Sequence, residues 1–590
     1  MHILGISCDY HDASAALVKD GQLVAAAAEE RFSRRKHDPS LLERSIAWCL
    51  AHAGIEAGDL DYVAFYEKPL LKFDRIIATS LDYFPGAYPF FREALLTWLS
   101  QKLWIKARLV KYLGISSDKL LFCEHHLSHA ASAFFCSGFA DAAILTVDGI
   151  GEWATATLGA GRANSIHLTH EIRWPHSLGM LYSVFTAFLG FEVNEGEYKV
   201  MGMAPYGEPR YVDKIWKLLR VSTDGAIELD LDYFCYHRSP KYVFSPRFLA
   251  LFGEPRPPDS HFFTRTSGYP SYFGSKPENF TDAQLANEHY ADIAASLQLV
   301  TQQILVKMAK AALRQAKSSR LVMAGGVALN SVANGHIQDE TGVDQLYVQP
   351  AAGDGGGALG AALWVWHVVL GRPQRFPLLH AYWGRENSDA EISSELMRCG
   401  VRAENLGSPE ALVERAVSDL LAGKVLGWSQ GRFEWGPRAL GNRSILADPA
   451  RAAMKEIVNT KIKFREPFRP FAPSLIAGAE DRYFVQPLGS QATAKFMLRT
   501  ATVRPEVRDC IPAVTHVDGS ARPHVVESST NPLYHKLIQT FGDATGSPVV
   551  LNTSFNLRGE PMVASADDAL ATFFGSEMDV LYLGSFRVSK

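Results

Sequence analysis

No two cysteines in this chain are spaced as CxxC. The seven (Cys8, Cys49, Cys123, Cys136, Cys235, Cys399, Cys510) are odd in number and scattered, which excludes a disulfide framework and fits reduced thiols. Any apolar run of membrane-spanning length is also missing: the strongest, Gly360 to Leu370, is far too short and contains His367. Met1 leads straight into a strand-like ILGIS, with neither a basic lead nor a long apolar stretch. A cytoplasmic location without a membrane partner is therefore expected. An excess of one charge is absent too. A net charge of -4 argues against a polyanion-binding face over the whole molecule. No nucleic-acid partner is expected, and phosphate binding has to come from local clusters.

What is present is an ordinary globular composition, 47% hydrophobic and 21% charged. At 590 residues the length points to about two to four domains. The densest chemistry lies in HHLSHAASAFFCSGFADAAILTVDGIGE, from His125 to Glu152. His125 and His129 are four apart in a small-residue run that reads as helix, so both imidazoles leave one face, while His126 points elsewhere. The run Ala142 to Val147 reads as a buried strand that ends on Asp148, Gly149 and Gly151. A carboxylate at a strand end can complete a metal site begun by two histidines. A solvated or core-satisfied helix face has the same spacing, and the pair alone does not choose.

Residues 2 to 30 read as a strand, a polar turn carrying Asp9, His11, Asp12 and Ser14, and a hairpin turning at Asp20 and Gly21. This resembles the opening of the actin, sugar kinase and Hsp70 ATPase superfamily, where such a loop touches the phosphates of ATP. RFSRRKHD, from Arg31 to Asp38, follows with a cluster of basic groups that includes Lys36. Residues 40 to 55 read as helix, DYVAFYE as strand, and 68 to 115 as aromatic-rich and mostly helical. Ser177 precedes a helix running to Leu189. Asn194 to Gly207 reads as a glycine-punctuated loop in which Lys199 is either functional or merely exposed. Residues 208 to 280 have the irregular composition of an insertion or lid.

Thr281 to Gln315 reads as one long helix. RLVMAGGVALNSVANG then repeats the strand, glycine turn, helix pattern, with Gly325, Gly326 and Asn330 placed as a nucleotide base and ribose site requires. Asp354 falls in a second glycine-rich turn between strand and helix. Two strand-rich halves, each closing on an acidic glycine turn, predict a duplicated α/β domain. Gly371 to Gly384 is a linker by composition. Beyond it, Arg432 to Arg469 holds nine basic residues against four acids, set among Gly, Pro and Phe rather than along a helix face. Arginine forks of that kind converge on phosphate oxygens. Arg522 and the LNTSFNLRGEP turn, with Arg558, add to them.

Taken in order, HDASAAL, EERFSRRKHD, HHLSHAASAFF, VDGIGE, YKVMGMAPYG, AGGVALN, GPRALGNRS, RPFAPS and LNTSFNLRGEP resemble the NodU and nebramycin synthase family of ATP-dependent O-carbamoyltransferases. The resemblance covers nearly the whole chain apart from much of 68 to 115 and 208 to 280. It implies residues 1–370 as a duplicated actin/Hsp70/sugar-kinase-like domain close to the tRNA threonylcarbamoyltransferase, 371–384 as linker, and 385–590 as a YrdC-like α/β domain.

The chemistry this resemblance implies has two stages. Carbamoyl phosphate and ATP, the latter with magnesium, yield a carbamoyl adenylate in the C-terminal domain. A small-molecule alcohol then takes the carbamoyl group in the N-terminal domain, as in the biosynthesis of antibiotics and other natural products. An iron(II) site is implied at His125, His129, Asp148 and Asp354, although the donor set alone does not choose iron over zinc or manganese. Arg438, Lys463, Arg469, Arg522 and Arg558 are implied at the phosphates. His11 is the expected base, with a loop-structuring role as its alternative. Lys36, Ser177, Asn330 and Lys199 are expected at the nucleotide or adenylate. Two other readings stay open: a threonylcarbamoyltransferase-like enzyme acting on tRNA, and a nucleotide-driven switch of the Hsp70 or actin kind.

Overall fold

The computed structural model describes residues 1–489 and 491–590. They form two compact units. The first comprises Met1–Ala26, Pro39–His261 and Thr281–Leu378; the second comprises Ala27–Asp38, Phe262–Phe280 and Leu379–Lys590.

The first unit is built on two sheets of one design. Strands β1 (His2–Ser7), β2 (Ser14–Lys19) and β3 (Gln22–Ala28) precede β4 (Tyr62–Phe65) and β5 (Leu120–Phe122), in the spatial order β3-β2-β1-β4-β5. β1 is antiparallel to β2, in the register Ile3 to Val18, and parallel to β4. The β2–β3 hairpin turns at Asp20 and Gly21, with φ of 49° and 82°, as an Asp-Gly pair favours.

The second sheet has β6 (Asp141–Val147), β7 (Ala154–Arg162) and β8 (Ser165–Arg173). A small ribbon, β9 (Leu219–Val221) with β10 (Ile227–Leu229), lies apart in sequence from β11 (Arg320–Ala324) and β12 (Gln345–Val348). The sheet order is β12-β11-β6-β7-β8, with β6, β7 and β8 antiparallel and β11 and β12 running parallel to β6. Each sheet is thus a three-stranded meander extended by two parallel strands beside its first strand. The repeat is the duplicated α/β plan expected from the sequence. Parallel strands need crossovers, which helices such as Phe280–Ala316 and Ser331–Glu340 provide.

The helix Asp354–Trp364, DGGGALGAALW, lies against both β1 and the helix His125–Phe134 because it is slim. A Cβ on Gly5 of β1 would stand 1.8 Å from the carbonyl oxygen of Ala358, and one on Gly357 would stand 3.1 Å from Oγ of Ser128. The glycines therefore set how near Asp354 comes to the two histidines.

In the second unit an eight-stranded mixed sheet runs, in spatial order, Glu404–Asn405, Phe586–Ser589, Val580–Leu583, Leu426–Ser429, Arg443–Ala447, Val549–Ser554, Ala472–Ile476, His524–Val526. Successive residues feed opposite faces: Val549 and Leu551 join one apolar core, and Val550 joins the other.

One expectation needs correction. The stretch read as a loop from Asn194 to Gly207 holds a short helix, Glu197–Met203, whose Val200, Gly202 and Met203 are buried on one side. Among the described residues no helix is long and apolar enough to cross a membrane.

Candidate metal centre and a separate cationic cluster

His125 and His129 project one turn apart from the helix His125–Phe134, and their Nε2 atoms are 3.1 Å apart. Both face Oδ2 of Asp148, at 3.0 and 3.1 Å. Asp148 is held for this: its Oδ1 accepts from the backbone N–H of Gly149 at 2.8 Å and of Gly326 at 3.1 Å, which leaves Oδ2 for the imidazoles. Asp354 opens its helix with Oδ1 3.6 Å from both Nε2 atoms, and its Oδ2 is sealed from solvent without a hydrogen-bond partner. One donor atom from each of the four residues falls within 4.8 Å of the others. Donors ~2.1 Å from one ion and at right angles to each other stand about 3.0 Å apart, so the three tightest atoms are spaced as neighbouring ligands. Two imidazoles and two carboxylates suit a borderline divalent cation.

Electrostatically the group is strongly coupled. Burial disfavours charge on the imidazoles, yet the carboxylates Asp354 and Asp148 push His125 well up and contacts with the same pair push His129 up. Burial also opposes ionisation of Asp148, and the two imidazoles hold it well below the usual carboxylate range. A divalent cation can replace the two imidazole protons in such a cluster. His126 turns away, bonded to Oγ1 of Thr146 at 2.7 Å and the carbonyl of Ala154 at 2.9 Å, and burial pushes its pKa down to about 3.

The start of the histidine helix is capped from a distance. The Glu152 carboxylate accepts from the His125 N–H, at 2.9 and 3.1 Å to its two oxygens, and from the Lys68 N–H at 2.8 Å. Glu67 and Lys72, which the sequence did not single out, form a buried pair at 2.7 Å behind His125. Burial pushes the Glu67 carboxyl up, but the ammonium of Lys72 and the His125 ring hold it down to about 2. Arg75, one turn further on, donates to the carbonyl of Gly151 at 2.9 Å. The available signal was two cations three apart on the helix face that also carries Ile76.

His11 lies beside this cluster. Its Nδ1 meets Oδ2 of Asp12 at 2.9 Å, and its Nε2 is 3.9 Å from Oδ2 of Asp354. Burial lowers its pKa, but Asp354, Asp12 and Asp148 more than offset this and hold it up at about 9. Asp9, from the same loop, is paired with Arg108 at 2.7 Å. Ser14 begins β2, and a Cβ on Gly355, next to Asp354, would stand 2.9 Å from its Oγ. Ser177 caps the helix Leu178–Phe188 through the N–H of Met180 and donates to the carbonyl of Gly149 at 2.7 Å, which ties that helix to the Asp148 turn. Asn330 caps Ser331–Glu340 and exchanges two 3.1 Å hydrogen bonds with Gln298. Lys199 sits over the ring of Phe191, at 5.6 Å.

The second unit holds a different centre. Buried Glu434 accepts from the N–H groups of Leu440 and Asn442, both at 2.8 Å, and of Arg443 at 3.1 Å, and so shapes the loop that carries Arg438. Arg522 is desolvated, and the charges acting on it are three more guanidiniums, Arg438, Arg465 and Arg469, which lower its pKa well below the arginine range. Its Nε is sealed without a hydrogen-bond partner. Lys463 is also buried, its pKa pushed well down by burial and then by Arg465 and Arg469. Its Nζ reaches the carbonyl and Oγ of Ser554 and the carbonyl and Oδ1 of Asn556. Lys36 belongs to this unit and adds its charge at Lys463. Arg558 is exposed on the turn after Val549–Ser554. Arg465 was counted in the basic stretch but not chosen from it. Arg432 and Arg443 of the same stretch are tied to carbonyls instead, Arg432 to those of Gly384 and Trp383 and Arg443 to those of Gln430 and Gly431.

Residues 2–363 match the family described as Carbamoyltransferase N-terminus, and residues 417–590 the one described as Carbamoyltransferase C-terminus. An uncharacterized protein of Synechocystis is 43% identical over all of this chain and 97% of its own length. The nodulation protein NolNO of Sinorhizobium fredii is 35% identical, over 98% of this chain and 79% of its own. The 3'-hydroxymethylcephem-O-carbamoyltransferase of Streptomyces clavuligerus is 32% identical, over 54% of this chain and 59% of its own.

Proposed function

This chain belongs to the carbamoyltransferase family, and from that premise we propose that it makes a carbamoyl adenylate in its second unit and carbamoylates an alcohol at the metal centre of its first. The observation that carries this reading is the pair of centres of opposite character, a cluster of half-buried guanidiniums in one unit and a His2Asp2 cluster in the other. Hydrolysis of carbamoyl phosphate releases phosphate and leaves carbamate, whose oxygen attacks the α-phosphorus of magnesium-bound ATP and expels pyrophosphate. Arg438, Arg465, Arg469, Arg522 and Lys463 supply the fixed positive charge these anions need. Lys36 and Arg558 belong to the same anion-binding set.

In the first unit an acceptor hydroxyl attacks the carbamoyl carbon, and AMP leaves. His11, oriented through Nδ1 by Asp12, takes the hydroxyl proton at Nε2. Asp354 and Asp148 raise the pKa of His11, and a bound cation that offsets their charge returns it toward neutrality. Iron(II) or another divalent ion held by His125, His129, Asp148 and Asp354 would supply Lewis acidity toward a carbamoyl or phosphate oxygen. Ser177, Asn330 and Lys199 line the adenylate pocket in this reading. An alcohol acceptor is supported by the hydroxymethyl group in the name of the cephem relative. The test is pyrophosphate exchange into ATP, with and without carbamoyl phosphate, alongside a mass-spectrometric screen of alcohols for a carbamoyl gain. Exchange or ATP turnover that ignores carbamoyl phosphate would overturn the reading.

A further inference from the structure

The two histidines of the metal centre differ on their far sides. Nδ1 of His125 and Nδ1 of His129 are both sealed from solvent without a hydrogen-bond partner. Among the described residues, Nδ1 of His125 has a carboxylate behind it, Oε2 of Glu67 at 3.8 Å, and Nδ1 of His129 has none. Glu67 follows β4 and is 5% exposed, and its other neighbour is the ammonium of Lys72, itself 4% exposed, at 2.7 Å. The centroid of the Tyr66 ring lies 5.5 Å from that of His125. An imidazole that gives the lone pair of one nitrogen to a cation carries its proton on the other, and that proton needs an acceptor. At 3.8 Å the contact is an ion pair rather than a hydrogen bond, a gap that catalytic groups close on loading.

We infer that Glu67 is a positioning residue for the metal centre: it takes the Nδ1–H of His125, fixes the tautomer that presents Nε2 to the cation, and raises the basicity of that ligand. Lys72, 2.7 Å from its carboxylate, holds Glu67 in place, so the pair acts as a unit. Among the described residues His129 has no equivalent carboxylate, so His125 is the stronger of the two nitrogen ligands. This inference rests on the metal reading above.

The test is the affinity of the metal-stripped full chain for cobalt(II), read by its visible absorption, together with the melting temperature without metal. Glu67→Gln is expected to weaken cobalt binding about 10- to 100-fold. It also leaves Lys72 buried and unpaired, so it lowers the melting temperature. The double variant Glu67→Gln, Lys72→Met removes both charges; it is expected to regain the melting temperature but not the affinity. Recovery of both would show that Glu67 serves only to neutralise Lys72, and would overturn the inference. If the double variant fails to fold, Glu67→Asp keeps the charge but withdraws the carboxylate; wild-type affinity there overturns the inference as well. A wild-type chain that takes up no cobalt, or that keeps its affinity with His125 and His129 both changed to alanine, removes the metal reading and this inference together. Uptake that is unchanged in Glu67→Gln removes the inference alone.

Discussion

Gly360 lies so close to the backbone of Ser128 that a Cβ on it would stand 1.8 Å from the Ser128 carbonyl oxygen. Ser128 is one residue before His129, and Gly360 is in the helix that Asp354 opens. The spacing of the two helices, and with it the distance from the Asp354 carboxylate to both imidazoles, is therefore set by the missing side chain.

The Gly360→Ala variant tests this. In an isolated helix the change is favourable by about 1 kcal/mol. Here it forces two backbones apart, and overpacking of that kind costs roughly 1–3 kcal/mol. A lower melting temperature and weaker cobalt binding are expected together. Wild-type cobalt affinity in a destabilised variant would mean that the helix contact does not govern the site.

The two proposed half-reactions should separate by mutation. Asp354→Asn leaves the second unit untouched, so carbamoyl-phosphate-dependent pyrophosphate exchange is retained while carbamoyl transfer falls by about 10²-fold or more. Arg522→Met is expected to do the opposite at the first step, suppressing exchange by a similar factor. Loss of both activities in both variants would contradict the division of labour.

Arg522→Met should also stabilise the free protein. Burial and three neighbouring guanidiniums already disfavour the charge on Arg522. Under the proposed function such a site is held against stability for the sake of its anion. With the charge gone, the melting temperature should rise by roughly 2–4 °C for each kcal/mol of relieved repulsion. Phosphate or ATP should then protect the wild type more than the variant. A fall in melting temperature with no change in ligand protection would mean that Arg522 is a packing residue.

The four side chains of the candidate metal centre each carry a local pattern in the sequence: histidines one turn apart, an aspartate at a strand end, an aspartate in a glycine turn. Their meeting across more than two hundred residues rests on the sheet order, which the resemblance implied and residue patterns only suggested. Glu67 and Lys72 escaped because charged residues are expected outside, and a paired buried charge leaves no pattern in sequence. The basic stretch is hard to sort by pattern for another reason. Arg438 and Arg443 look alike in GPRALGNRS, but the loop built around Glu434 buries Arg443 against carbonyls. Nor does composition show that Ala27–Asp38, continuous with β3, packs in the second unit.

Asp419 offers a test at acid pH that does not depend on the proposed chemistry. It sits on the helix Pro409–Leu421, and its carboxylate accepts from Oη of Tyr582 at 2.7 Å, Nε of Arg587 at 2.8 Å and Nζ of Lys424 at 2.7 Å. It thereby fastens the last two strands of the sheet to that helix. Burial pushes its pKa up, but the bonds from Arg587, Lys424 and Tyr582 outweigh this and hold it down to about 2. A carboxyl depressed by folding stabilises the native state above its ordinary pKa, and that stabilisation is lost as pH falls through about 4 toward about 2. Asp419→Asn keeps the shape and removes the charge, so at pH 7 it should cost about 2–4 kcal/mol. Near pH 3 the wild type has lost about 1 kcal/mol of this contribution, and the gap between the two proteins should narrow by that amount. Urea unfolding of both at pH 7, 5 and 3 reads the gap directly. A gap that does not change with pH would show that Asp419 acts through shape and hydrogen bonds that asparagine also loses, and not through its charge.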